Sequence, residues 1–210
     1  MSFILFCAQL ALILHAQILR EDYRLTQRMD ILKNILLVIV SPRVGWEDIN
    51  VGGIATNKVM QAAFLPLLAV LAITSFVPMF YDKTVTLSMS LMRAIINFSG
   101  YFFSYYIVCY LLGGFYPDLV KTKGATARLH ELVLYSLIYL VLLAIIANVL
   151  PIDFTPIFFM MTYMVWIVYR GTHYMGLERS REPRFLIVTS ALLLLTPVTI
   201  VKLLSMLINH

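Results

Sequence analysis

The sequence predicts an all-α fold, a polytopic transmembrane bundle of five spans preceded by an interfacial amphipathic helix and an apolar N-terminal segment. Three observations carry this. The 210 residues are 61% hydrophobic and only 13% charged, and the mean hydropathy is +0.88, whereas soluble domains are nearer half apolar. Five apolar stretches recur, from Val59 to Phe80, Ala94 to Phe115, Glu131 to Leu150, Pro156 to Met175 and Phe185 to Ile208. Each is about 20 to 24 residues, enough to cross a hydrocarbon layer near 30 Å thick as a helix. The third observation is that Lys and Arg fall on alternate connections.

The basic residues orient the bundle. Arg20, Arg24, Arg28, Lys33, Arg43 and Lys58 precede the first span; Lys121, Lys123 and Arg128 fill the second connection; Arg170, Arg179, Arg181 and Arg184 flank the fourth. The first connection holds only Lys83 and Arg93, and the third, PIDFT, holds none. The positive-inside rule then places the segment before the first span in the cytoplasm and the C-terminus outside. The inner membrane of a bacterium is the expected location. The net charge of +5 reads as topology and as contacts for anionic lipid headgroups. No stacking module or soluble basic domain accompanies it, so nucleic acid is excluded as a partner.

The segments divide as 1–28, 29–58 and 59–210. The first, apolar from residue 3 to 19, lacks the basic start and small-residue cleavage site of a secretory signal. Two readings stay open: a sixth span, or sequence upstream of a natural start at Met29. Residues 30–40, DILKNILLVIV, are too short to cross. Asp30 caps them, Lys33 and Asn34 give a polar edge and Pro42 ends them, which predicts a helix lying in the interface. A helix packed against the bundle is the alternative. Short connections predict antiparallel packing of sequential spans, with a tight hairpin at Pro151, Thr155 and Pro156. Pro66, Pro78 and Pro197 are potential kinks.

Polar residues inside a bilayer are costly and call for a reason. Asn97, Gly100 and Ser104 share a face of the second span, either as a polar path or as a close-packing surface where small residues admit a neighbouring helix. Lys202 lies about 27 Å along the last helix from Arg184, at the outer interface, where its ammonium can snorkel. His130 and Glu131 open the third span and Arg170 and His173 close the fourth, so all four fall at one depth. An ion pair between Glu131 and Arg170 is expected there; a metal site on His130, Glu131 and His173 is the sharper alternative, since imidazoles and a carboxylate suit zinc. Met160, Met161 and Met164 lack a Cys or His companion and read as packing. Cys7 and Cys109 have no metal or disulfide spacing. No HExxH, phosphate loop or Ser–His–Asp pattern appears, so no enzyme activity and no cofactor are expected.

Three further motifs occur in order. SPRVGWEDI runs from Ser41 to Ile49; KGATARLHELVLYSLIYLVLLAIIANVLP contains the Tyr135–Ser136 pair and ends at Pro151; MVWIVYRGTHYMGLERSRE leads to Gly176 and Leu177. Together they resemble the bacterial branch of the Yip family, the Ypt/Rab-interacting membrane proteins, over Met29 to His210. The resemblance implies five transmembrane helices, an inner N-terminus and an outer C-terminus. Residues 1–28 depart from the bacterial pattern, and the long cytoplasmic region of eukaryotic relatives is missing, so Rab binding does not carry over. Pro42, Trp46, Gly176 and Leu177 are the structural positions it marks.

The functional expectation is a non-enzymatic membrane-organising or partner-binding scaffold. Lys33, Pro42 and Trp46 would seat the N-terminal helices at the interface, with Trp46 as an interfacial anchor, while Arg179, Arg181 and Arg184 would meet anionic headgroups. Its partner would be another membrane protein or a second copy. The alternative is a small oligomeric transporter or channel with its path along Asn97, Gly100 and Ser104.

Overall fold

A computed structural model describes residues 26–117, 124–150, 154–175 and 181–208. Among these the chain is helical with no strand. Helix α1 covers 26–40, α2 Pro42–Gly52, α3 Thr56–Phe80, α4 Leu87–Phe115, α5 Ala125–Val149, α6 Phe154–Thr172 and α7 Glu182–Ile208. Four of these, α3, α4, α5 and α7, are long and apolar enough to cross a membrane. Helix α6 is not among the four. Its 19 residues include Thr162, Tyr163, Trp166, Tyr169, Arg170 and Gly171, which dilute its apolar content. The segment 1–25, and with it the question of a sixth span, lies outside the described residues, as do Lys121, Lys123, Asp153, Gly176, Leu177 and Arg179.

The helix boundaries follow local chemistry. Thr86 caps α4, its hydroxyl accepting from the Met89 amide at 3.3 Å, and so the helix starts one to two turns before the expected Ala94. Gly124 adopts φ +86° ahead of α5, a conformation that suits glycine because it has no Cβ to clash. Pro66 lacks an amide proton and crowds the carbonyl four residues back. The chain absorbs this with a π turn at Met60–Phe64 before resuming the α-helix at Leu65. Pro78 lies in the 3₁₀ turn that ends α3, while Pro197 sits within an unbroken α7.

Helix α5 is the axis. Every residue from Leu132 to Val141 is buried, as expected of a helix that is apolar around its whole circumference. It touches α3, α4, α6 and α7. Sequential helices do pack as neighbours, but α4 also packs extensively on α7, which is distant in sequence. Gly100 makes it so: a Cβ there would lie 2.7 Å from the Val201 side chain, so only glycine lets α7 come this close. The helices α1 and α2 lie alongside α5 and α6.

Candidate functional site

The N-terminal helices form a clamp on the bundle. Pro42 is the first residue of α2 and is buried. Its ring presets the helical φ where no amide donor is needed. At Gly45 a Cβ would come within 2.7 Å of the Leu37 carbonyl carbon, so the missing side chain lets α2 fold back against the end of α1. That turn aims Trp46 inward. Its indole N–H donates to the Ile167 carbonyl at 3.0 Å, its ring meets Tyr135 edge-on at 5.8 Å, and it is 4% exposed. Gly171 makes the approach feasible, because a Cβ there would sit 2.9 Å from the indole. Nearby, the Tyr163 hydroxyl donates to the Ile39 carbonyl at 2.9 Å.

Trp46 is therefore buried in protein and does not face the interface as the sequence suggests. An indole needs one acceptor when it is buried. The Ile167 carbonyl has a second lone pair to offer beyond the one used within its own helix. The signal in the sequence was Gly171, a residue with no evident role until the indole is placed against it.

Helix α1 also departs from expectation. Ile31, Asn34, Ile35 and Val38 form a buried stripe, and Asn34, expected on a polar edge, lies within hydrogen-bonding reach of Tyr135. The opposite stripe, Met29, Leu32, Leu36 and Val40, is apolar and exposed. Lys33 pairs with Asp48 of α2 at 2.8 Å on the outer surface, holding the two helices together beyond the Pro42 turn.

The four groups expected to meet at one depth stay apart. His130 Nδ1 lies 2.8 Å from the Tyr105 hydroxyl. Arg170 stacks over Trp166 at 4.4 Å and forms no ion pair with Glu131, which shares a small cleft with Arg128, Trp46 and Gly171. Arg128 donates to the Tyr174 carbonyl. His173 faces Glu182 across 3.9 Å. Depth along a helix does not determine rotation about its axis, and rotation sends each of these side chains to a different neighbour. Among the described residues no three His, Cys, Asp or Glu side chains gather as a metal site would require, so His130, Glu131 and His173 do not form one.

The polar face of α4 is likewise divided. The Asn97 amide donates to Ser75 Oγ at 3.2 Å, tying α4 to α3. Gly100 faces α7, and the Ser104 hydroxyl returns to the Gly100 carbonyl of its own helix. Each group is satisfied locally, which is how a packing surface behaves. Arg181 and Arg184 are exposed at the start of α7.

A groove of about 630 Å³ opens between the last three turns of α4 and the first of α5. Tyr106, Cys109, Tyr110, Gly114, Leu129 and His130 line it. At Gly114 a Cβ would meet nothing within 4 Å, so the backbone of α4 is bare on that side. The pairing of His130 with Tyr105 was not legible from the sequence, where Tyr105 is one ring among several.

No family profile matches the chain, and neither does any curated protein or solved structure.

Proposed function

We propose that the chain is a non-enzymatic integral membrane scaffold of the Yip type, with five spans, its N-terminal helices on the cytoplasmic side and its C-terminus outside. Helix α6 supplies the fifth span: 19 residues rise about 28 Å, close to the hydrocarbon thickness. The charge pattern supports the orientation. The observation that carries the scaffold reading is the clamp. Trp46, Gly45 and Gly171 fix α1 and α2 to the bundle as a rigid pair, and this pair presents outward an apolar stripe beside Lys33, Arg43, Glu47 and Asp48. A bilayer surface or a membrane partner fits such a face, and the basic residues Arg179, Arg181 and Arg184 add a contact for anionic headgroups.

Nothing in the geometry favours the transport reading, since Asn97 and Ser104 spend their hydrogen bonds on packing. Two measurements test the proposal. Replacing Arg179, Arg181 and Arg184 with Gln is expected to lower the number of phosphatidylglycerol molecules retained by the purified protein in native mass spectrometry, with helix content unchanged; equal retention counts against the headgroup contact. Selective solute flux through proteoliposomes, abolished by Asn97→Leu in a folded protein, would overturn the scaffold.

A further inference from the structure

The groove between α4 and α5 lies apart from the clamp and from the arginines before α7. Its walls are apolar side chains and bare helix backbone at Gly114, and its volume falls in the range of small-molecule sites. The polar groups of Tyr106, Tyr110, Thr126 and His130 interrupt this surface. The Tyr105 hydroxyl lies 2.8 Å from His130 Nδ1. A phenol O–H donates to a neutral imidazole nitrogen, which has a lone pair to accept it. The hydrogen bond at one ring nitrogen sets the state of the other, which leaves the proton of His130 on Nε2. Among the described residues the hydrogen bond of His130 is the one at Nδ1, and His130 lines the groove.

The rim adds a third feature. Tyr106, Tyr110 and Phe115 are 49%, 82% and 61% exposed, at the end of a span, where aromatic rings settle at the boundary between headgroups and acyl chains. A bilayer surrounds such a rim with lipid.

We infer that this groove is a binding site for one membrane glycerolipid, with an acyl chain lying along Gly114 and Leu129 and an ester or phosphate oxygen accepting from His130 Nε2–H. The apolar walls match the chain, the imidazole donor matches an oxygen acceptor, and the aromatic rim holds the junction of the two at the correct depth. Gly114 keeps the groove open. The site stands whether or not the clamp recruits a partner.

Photo-crosslinking tests it. The full chain is placed in nanodiscs containing phosphatidylglycerol with a diazirine on its acyl chain, and labelled peptides are located by mass spectrometry. Labelling is expected to concentrate on 106–115 and 126–130, above the level at the exposed Ile187 and Leu203 of α7. Gly114→Leu fills open space and touches no side chain, so the protein keeps its melting temperature while groove labelling falls about tenfold or more, equivalent to at least about 1.4 kcal/mol. His130→Ala lowers it about three- to tenfold, as loss of one hydrogen bond predicts. Groove labelling unchanged in both variants, labelling no higher than at Ile187 and Leu203, or crosslinks from the groove to a second copy of the chain would each overturn the proposal. Loss of arginine-dependent lipid retention leaves this labelling unaltered, so the two lipid contacts fail or survive separately.

Discussion

Helices α5 and α7 are both long and strongly apolar, and they occupy opposite environments. Of the most apolar window in each, 61% is buried inside the protein in α5 but 22% in α7. Helix α5 turns Leu132, Leu134, Leu137 and Ile138 into a continuous core. Helix α7 leaves Ile187, Leu195 and Leu203 exposed, and spacings of eight residues turn each about 80° from the last, so a broad arc of the helix faces outward. Apolarity marks a helix for the membrane without saying whether protein or lipid will surround it. In a bilayer the two are about equally apolar, and what decides is close packing.

The comparison breaks most sharply on leucine truncation. Leu137→Ala, in the fully buried face of α5, is expected to cost about 2–3 kcal/mol through the cavity it leaves, whereas Leu195→Ala on α7 stays within about 0.5 kcal/mol. Unfolding in mixed micelles followed by circular dichroism measures both, and equal losses would abolish the distinction drawn between the helices. Next is Gly171→Leu, which forces a side chain against Leu132 of α5 and Trp46. Overpacking of this kind costs about 1–3 kcal/mol, and Trp46 should become accessible to acrylamide quenching.

A smaller effect is expected from Trp46→Phe. It keeps most of the ring and removes the hydrogen bond to Ile167, for a loss of about 1 kcal/mol. The same micelle unfolding measures it, and a loss no larger than that of Leu195→Ala would place Trp46 outside the core. The least effect belongs to Lys33→Met at the exposed pair with Asp48. The hydrogen bond and then the charge of Asp48 raise Lys33 above its ordinary value of 10.5. The pair's contribution is therefore present below that value and is lost only as the pH rises through the raised one. Stability should show no step from this pair between about pH 5 and pH 9, and a Lys33-dependent step inside that window would show the pair to be wrongly placed.

Much of the helical frame was legible along the chain. Pro42 was legible as a break after residue 40, and a span such as α3 or α7 is written in its own composition, whereas α4 starts at the Thr86 cap, ahead of the expected Ala94. The clamp was not legible. Asn34 reads as a polar edge because Tyr135, its neighbour in space, is a hundred residues away. Trp46 reads as an interface anchor because indoles favour that position, until a carbonyl and a glycine on α6 provide somewhere drier. The candidate metal residues are not brought together for a related reason: His130 meets Tyr105 and His173 faces Glu182.

The sequence by itself determined the helical character and the long apolar stretches of the chain, because each depends on residues within a few turns of one another, while of the five spans it predicts, four are long and apolar enough among the described residues. Only the tertiary structure decided that α5 is the axis, that Trp46 points inward, and that His130 meets Tyr105 beside a groove. Those outcomes depend on the rotation of each helix about its own axis and on glycines that admit a partner, and both are set by contacts between residues far apart in the chain.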